Sequence, residues 1–285
     1  MKHIFMMHNI KKHYEFKKVI EEVMEGYDYD IIFTSSVADS QNYIRNYHNK
    51  ARFYVVGGDG TLNDMIQVLV YTDHEVVILP LGTGNDFCHF LTKERDPKKL
   101  LIQSLSLDSQ KIDTILLNDR YYINTACFGV DSVIATHVHD VTNIPMIPED
   151  KSYLVSIAKH VFAYKNDEVK IIVDGKSLYH GPIILCTFNN GKYYGGGFPI
   201  TSKADIQDGF IYLCVVDKVP KYKIPYLITV LLREKLYTRS EVHNYRIKEA
   251  TVYCQNTCNM DGEEYQANCY HFQIQPNSLN FVLYK

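Results

Sequence analysis

The residues best suited to chemistry lie in two glycine-rich segments. Val55-Val56-Gly57-Gly58-Asp59-Gly60-Thr61-Leu62-Asn63-Asp64 runs an apolar strand into a turn and then into a helix that the spacing starts at Thr61. Glycines let a backbone approach a phosphate, and a helix N-terminus adds unpaired N–H groups and the positive end of a dipole. Thr61 can cap that helix or meet a phosphate oxygen. Asp59 cannot favour phosphate by its charge. The roles open to it are to hold a metal ion or water, or to take a proton. Pro80-Leu81-Gly82-Thr83-Gly84-Asn85-Asp86-Phe87 repeats the pattern after the next apolar run. Two such turns at one edge of a parallel sheet would line a single anion-binding cleft. Two later segments carry carboxylates, Met260-Asp261-Gly262-Glu263 and Ala204-Asp205-Ile206-Gln207-Asp208-Gly209-Phe210. The first could carry a base or be a plain exposed hairpin turn. The second could hold a hard cation or be a solvated turn before a strand.

The elements that must position these turns follow from hydrophobic periodicity. His3–His8, Tyr29–Thr34, Arg52–Val56 and Glu75–Leu79 are short apolar runs. Between them Tyr14–Met24, Val37–Tyr47 and Thr61–Val70 show helical spacing. Strands alternating with helices imply a parallel sheet covered on both faces, which binds ligands at the carboxyl ends of its strands. Near Leu107 the pattern turns to strands: Lys111–Leu117, Arg120–Asn124, Val169–Val173, Pro182–Asn189, Phe210–Val216, Ala250–Cys254, Tyr270–Gln275 and Leu279–Leu283. Asp174-Gly175 reads as a hairpin turn. The expected fold class is α/β in two domains. The first part reads as an α/β domain and the second as a mostly antiparallel domain with helical excursions, the break falling around residues 107–120.

Composition narrows the function classes. The chain has 285 residues, 22% charged and 46% hydrophobic, which is ordinary for a globular protein. A net charge of −3 argues against chain-wide attraction to nucleic acid or to an acidic membrane surface. No apolar stretch approaches the ~20 residues that span a bilayer; Ile224–Leu232 is about half that. The N-terminal MKHIFMMHNIKK lacks the apolar region and cleavage site of a secretory signal. Seven cysteines, an odd number with no CxxC pair, suit buried thiols in a reducing compartment. His137 and His139 would share a face only on a strand, where they could bind a metal. These readings point to a soluble, intracellular protein.

The two glycine-rich motifs at this spacing resemble the diacylglycerol kinase catalytic domain family, which includes bacterial soluble lipid kinases. Asn124-Thr125-Ala126-Cys127-Phe128-Gly129-Val130-Asp131, Gly195-Gly196-Gly197-Phe198-Pro199, the 204–210 segment and Asp261-Gly262-Glu263 continue the likeness in order along nearly the whole chain. The resemblance implies an NAD kinase/diacylglycerol kinase-like fold, with residues 1–118 and a returning segment, 270–285, as the α/β ATP-binding domain, residues 119–269 as a β-rich sandwich domain for the lipid, and the active site in the cleft between the domains. It assigns ATP to Gly58, Asp59, Gly60, Thr61, Asn63, Asp64 and Thr83, with Thr34 and Asn9 as further contacts. It makes Glu263 the acceptor of the lipid hydroxyl proton and Asp261 its metal or orienting partner. It places a structural Mg²⁺ on the Asp208 side chain and the backbone carbonyls of Asp205 and Phe210, an all-oxygen set that suits a hard cation. The first loop, His8-Asn9-Ile10-Lys11-Lys12, lacks the family's proline and glycine, and Lys11 or Lys12 could compensate electrostatically. Asp64 replaces a glutamate, and Phe87-Cys88-His89 stands where relatives often carry arginine.

The expected activity is ATP- and Mg²⁺-dependent phosphorylation of a lipid hydroxyl, diacylglycerol giving phosphatidic acid. Another lipid substrate, an NAD kinase and a non-catalytic nucleotide-binding module are the rivals. The expected partner is a lipid at a membrane surface, with peripheral membrane contact and no nucleic acid; a homodimer stays open. The expected location is the cytoplasm, transiently at the inner face of the membrane. Pro220–Tyr237 and Tyr153–Tyr164 are the amphipathic candidates for an acyl-chain cleft or a bilayer contact, or are helices packed on the second domain's sheet.

Overall fold

The computed structural model describes residues 1–8, 10–130, 167–194, 198–201 and 203–284. Asn9, Asp131, His137, His139, the 153–164 segment and Gly195–Gly197 lie outside the described residues. Two compact units emerge. One holds Met1–Thr114, Ile206–Gly209 and Gln275–Lys285; the other holds Ile115–Asp205 and Phe210–Ile274. No helix among the described residues is long and apolar enough to cross a membrane.

The first unit alternates strand and helix: β1 (Lys2–His8), α1 (Lys11–Val23), β2 (Tyr29–Thr34), α2 (Val37–Arg45), β3 (Ala51–Gly57), α3 (Asp59–Leu69), β4 (Glu75–Pro80), α4 (Asp86–Leu91), α5 (Pro97–Ser104) and β5 (Ser109–Leu117). The last strand of the chain, Tyr270–Val282 (β17), pairs through Asn280 and Phe281 with β4. The sheet order is then β17-β4-β3-β1-β2, with every pairing parallel. Every residue of β3 and the middle of β1 are buried, as required of strands covered on both faces. α1 packs on α5, and α2 on α3. Ser36 caps α2 by accepting Asp39 N–H at 3.1 Å. Asp96 caps α5, whose first position is Pro97. Arg52 donates to Glu75 across β3 and β4 at 2.6 Å and to the carbonyls of Ser104 and Leu107, which ties the end of α5 to the sheet.

The pairing register aligns the carboxyl ends of these strands. His8 stands opposite Thr34, Met6 opposite Val55, and Gly57 opposite Pro80. Thr34, Gly57 and Pro80 therefore reach one edge of the sheet. Both glycine-rich turns start from that edge.

The second unit is mostly antiparallel. Its strands are β6 (Arg120–Tyr122), β7 (Thr125–Gly129), β8 (Asp167–Val173), β9 (Lys176–Asn189), the short β10 (Tyr193–Tyr194) and β11 (Phe198–Pro199), β12 (Ile211–Asp217), β13 (Val242–Ile247), β14 (Glu249–Tyr253), β15 (Cys258–Met260) and β16 (Glu263–Tyr265). Asp174 and Gly175, both at positive φ, turn β8 into β9 as expected. β9 pairs first with β8 and then, near its end, with both β7 and β12. Alternation along these strands separates two apolar faces. Ala126, Phe128, Cys186, Phe188, Leu213 and Val215 face one core, where Phe188 stacks on Phe272 of β17 with ring centroids 3.9 Å apart. Cys127, Leu185, Cys214 and Val216 face the other, covered by the helix α6 (Ile224–Leu232).

Some boundaries differ from the sequence reading. α3 begins at Asp59 rather than Thr61 and carries no side-chain cap, so Thr61 does not cap it. The runs read as two strands around Pro276 form one strand, because residues 270–273 pair with β14 while 280–281 pair with β4. β13, β15 and β16 escape a periodicity reading: one is largely polar and the others have three residues each.

Candidate functional site

The two glycine turns of the first unit touch backbone to backbone. A Cβ built on Gly82 would stand 2.5 Å from Gly58 Cα and 2.9 Å from Gly58 N. Leu81 N–H donates to Gly57 O at 3.0 Å. Glycine is thus required by approach distance here, not by backbone conformation. Thr61 folds back over Gly57, where a Cβ would meet its Oγ1 at 2.5 Å.

Asp59 joins the turns a second time. Its carboxylate accepts Asp86 N–H at 2.8 Å and Phe87 N–H at 3.1 Å. These are the first two amides of α4, so a carboxylate from the first motif caps the helix of the second. The six-residue α4 lacks a cap of its own, since Asn85 is in the left-handed region at φ 57°. The N-terminus of α3, by contrast, has no side-chain cap, and while its N-cap Gly58 is packed against Gly82, the first turn beyond it is open at Gly60. A Cβ on Gly60 would meet nothing within 4 Å. Of the two helix N-termini, one is filled by Asp59 and the other opens on space that suits a phosphate.

Neighbouring polar groups complete this edge. Asn85 Nδ2 donates to Gly82 O at 2.9 Å, while its Oδ1 is buried with no hydrogen-bond partner among the described residues. An orphaned acceptor there, beside an uncapped helix, fits a site completed by a bound nucleotide and its water. Lys12 Nζ donates to Leu81 O at 2.7 Å, which brings a cation to the second turn from the altered first loop. His13 is buried, and its Nδ1 accepts His8 N–H at 2.9 Å. Burial, helped by the neighbouring His8, holds its pKa below the usual histidine value. Thr83 is exposed on the second turn. Thr34 is buried, with its hydroxyl 2.7 Å from Ser40 Oγ and 3.3 Å from Met7 O. Asn63 is fully buried in α3 beside Gln67, and Asp64 is half-buried, its carbonyl accepting from Gln41.

In the second unit, Asp261 and Glu263 divide their work. Asp261 is buried at φ 49° in the turn between β15 and β16. Its carboxylate accepts three consecutive backbone N–H groups, Ile123 at 2.9 Å, Asn124 at 3.2 Å and Thr125 at 2.9 Å. Its own N–H donates to Thr125 O. That geometry makes it an orienting group that fixes the start of β7 against the turn. Gly262 follows at φ 96°, a conformation that favours glycine. Glu263 points outward, 40% exposed, and Arg120 Nη2 lies 3.2 Å from its Oε2.

The proposed Mg²⁺ ligands fall in both units. Asp208 belongs to the first, in a loop pinned by Gly209 N–H to Asp113 Oδ2 at 2.7 Å and by Asp113 N–H to Ile206 O at 2.7 Å. Asp205 and Phe210 belong to the second. Among the described residues, no group of three or more His, Cys, Asp or Glu could hold a metal. The Asp208 carboxylate and the backbone carbonyls of Asp205 and Phe210 are each oxygen donors, the type a hard cation takes. Six of the seven cysteines are buried, and burial lifts the Cys88 thiol to about 12, as inert thiols require.

Sequence reasoning had no access to several of these residues. Asn85 enters through its left-handed backbone, Arg120 through a partner 143 positions away, and His13 through a ring that only the folded β1–α1 turn brings to His8. Lys12 did carry a signal, as a cation beside the altered loop.

The chain is similar to known proteins along nearly its whole length. The model of the diacylglycerol kinase catalytic domain matches residues 9–117. The model of the YegS C-terminal NAD kinase beta sandwich-like domain matches residues 124–283. A protein of Shewanella frigidimarina named "Probable lipid kinase YegS-like" is 27% identical over 268 residues, covering 91% of this chain and 85% of its own. A diacylglycerol kinase of Mycobacterium tuberculosis is 26% identical over 207 residues, 70% of this chain and 66% of its own. A crystal structure of a diacylglycerol kinase from Bacillus anthracis superposes with a TM-score of 0.78 at 18% identity, covering 99% of this chain and 97% of that one. With both domain models matched in order along its length, the chain belongs to the diacylglycerol kinase catalytic domain family, in the form that carries a YegS-type sandwich domain.

Proposed function

We propose that this member of a lipid kinase family transfers the γ-phosphoryl group of ATP to the hydroxyl of a membrane lipid, with diacylglycerol as acceptor and phosphatidic acid as product. The observation that carries the reading is the contact of the two glycine turns, which leaves the N-terminus of α3 open while Asp59 fills that of α4. Backbone N–H groups at Gly60 and Thr61 then receive the phosphates, and Lys12 contributes positive charge at the second turn. Thr83, Asp64 and Thr34 line or brace the nucleotide side, with Asn63 as a buried support.

Glu263 accepts the proton of the lipid hydroxyl as that oxygen bonds to the γ-phosphorus and the bond to ADP breaks. Arg120 holds the Glu263 carboxylate, and Asp261 holds the backbone that presents it. Mg²⁺ supplies neutralisation of phosphate charge when bound. A second Mg²⁺ role, structural and at the 205–210 loop, falls to Asp208 and the carbonyls of Asp205 and Phe210. We place the enzyme in the cytoplasm, where ATP is available, visiting the inner face of the membrane.

A panel of lipids in mixed micelles with labelled ATP tests the reading, with NAD as a competing acceptor. Phosphatidic acid from the wild type, reduced at least ~100-fold in Glu263→Ala, is the expected result. Phosphorylation of NAD faster than of any lipid would overturn it.

A further inference from the structure

The surface around α6 concentrates exposed tyrosines and cations. Tyr222 is 77% exposed, Tyr226 52% and Tyr237 53%. Residues 217–241 hold Lys218, Lys221, Lys223, Arg233, Lys235 and Arg239 against three carboxylates, Asp217, Glu234 and Glu241, the last paired with Lys223 at 2.9 Å, on a chain whose net charge is −3. This local excess of positive charge is opposite in sign to the rest of the chain. α6 is not itself short of a core: Ile224 and Leu227 are buried against Cys214, Val216 and Leu236. The outward rings lie outside that core.

The rings and cations are interleaved. Arg239 Nη1 donates to Tyr226 Oη at 2.7 Å, and Lys203 Nζ lies 5.9 Å from the centre of the Tyr237 ring. An open cavity of about 500 Å³ lies between Tyr222, Tyr226 and Leu227 on one side and Thr238–Glu241 on the other. A tyrosine ring with its hydroxyl suits the boundary between acyl chains and headgroups, and cations beside it suit headgroup phosphates.

We infer that the face formed by Tyr222, Tyr226 and Tyr237 with Lys221, Arg233 and Lys235 docks this protein on an anionic lipid bilayer. The inference rests on the lipid kinase reading for the reason a bilayer is visited. The binding itself needs neither ATP nor a phosphorylatable lipid. The charges draw the protein to the surface, and the rings settle among the headgroups.

Sedimentation of the full chain with vesicles of phosphatidylcholine, with and without phosphatidylglycerol, tests it in the absence of diacylglycerol and ATP. The wild type is expected to bind the mixed vesicles and to be released by salt. Neutralising Lys221→Gln, Arg233→Gln and Lys235→Gln together should lower partitioning about 100-fold. Replacing Tyr222→Ser, Tyr226→Ser and Tyr237→Ser together should lower it about tenfold. Circular dichroism checks folding, and Tyr222→Ser alone, at the most exposed of the three rings, serves if the triple variant unfolds. Equal binding by wild type and variants, or binding indifferent to phosphatidylglycerol, overturns the proposal. So does a wild-type dimer that the tyrosine variant dissociates, which would make this face a protein interface. Loss of vesicle binding with retained turnover of a soluble substrate supports it, whereas absence of turnover on every lipid counts against the kinase reading alone.

Discussion

The carboxylate of Asp59 accepts the backbone N–H of Asp86 at 2.8 Å, so the acid of the first glycine motif serves as the cap of the second motif's helix. The two motifs are thereby one device. Asp59→Ala should lower stability by about 1–2 kcal/mol, the usual worth of a helix cap, and reduce turnover as well. Urea unfolding of the purified variant checks the first effect. An unchanged midpoint would return Asp59 to a role confined to ligands.

Gly82 and Gly60 should respond oppositely to alanine. At Gly82 the new Cβ meets backbone atoms of Gly58, which cannot step aside, so Gly82→Ala should lose stability and activity together. At Gly60 the space is open and the residue is helical, so Gly60→Ala should keep or gain up to about 1 kcal/mol. The same methyl would occupy the phosphate's approach, and the KM for ATP should rise at least ~10-fold. Melting curves and ATP titrations read the two effects separately.

Asp261 and Glu263 should separate by what they break. Asp261→Ala strips three buried N–H groups of their acceptor and should cost about 2–4 kcal/mol of stability. Glu263→Gln should leave the melting temperature near the wild-type value, since the side chain is 40% exposed, while turnover falls ~100-fold at unchanged KM for ATP.

Lys12→Met keeps the stem and removes the ammonium that reaches Leu81 O. The KM for ATP should rise several-fold, about 1 kcal/mol, with kcat nearly preserved. A change in kcat alone would place Lys12 in the chemical step.

The pH dependence at His13 has a defined sign. Its folded pKa lies below the ordinary histidine value of about 6.5, chiefly through burial, so the unfolded chain binds the proton more readily. The neutral ring's stabilisation is complete above about pH 6.5 and fades as pH falls below that value toward the lower folded pKa. His13→Leu should be less stable than the wild type at pH 7, with the gap narrowing toward pH 5. Thermal melts across that range check it.

Much of this was legible in the sequence, for a reason the structure makes plain. β1, β3 and β4 are buried on both faces, so they appear as unbroken apolar runs; β2, half-buried at the sheet edge, still matches its expected range of Tyr29–Thr34 to the residue because three apolar residues run together in it. Glycines at closely approaching turns also announce themselves. What stayed hidden depends on contacts remote in sequence. Nothing local marks Asp59 as the cap of a helix 27 positions on, or Arg120 as the partner of Glu263. β13, with its sequence VHNYRI, lacks a clean alternation and takes its form from pairing with β12.

The pairing of β17 with β4 has a bearing on how the protein is made. Synthesis delivers β4 well before β17, so one flank of β4 finds its partner only when Asn280 and Phe281 arrive. During synthesis the nucleotide-binding sheet therefore waits with an unprotected edge while some two hundred residues emerge, a span set by the 206 positions between Tyr284 and the Ile78 carbonyl it caps. A chain stalled before that point would present β4 as a template for wrong partners, which makes the final strand a closure on the order of events as well as on the sheet.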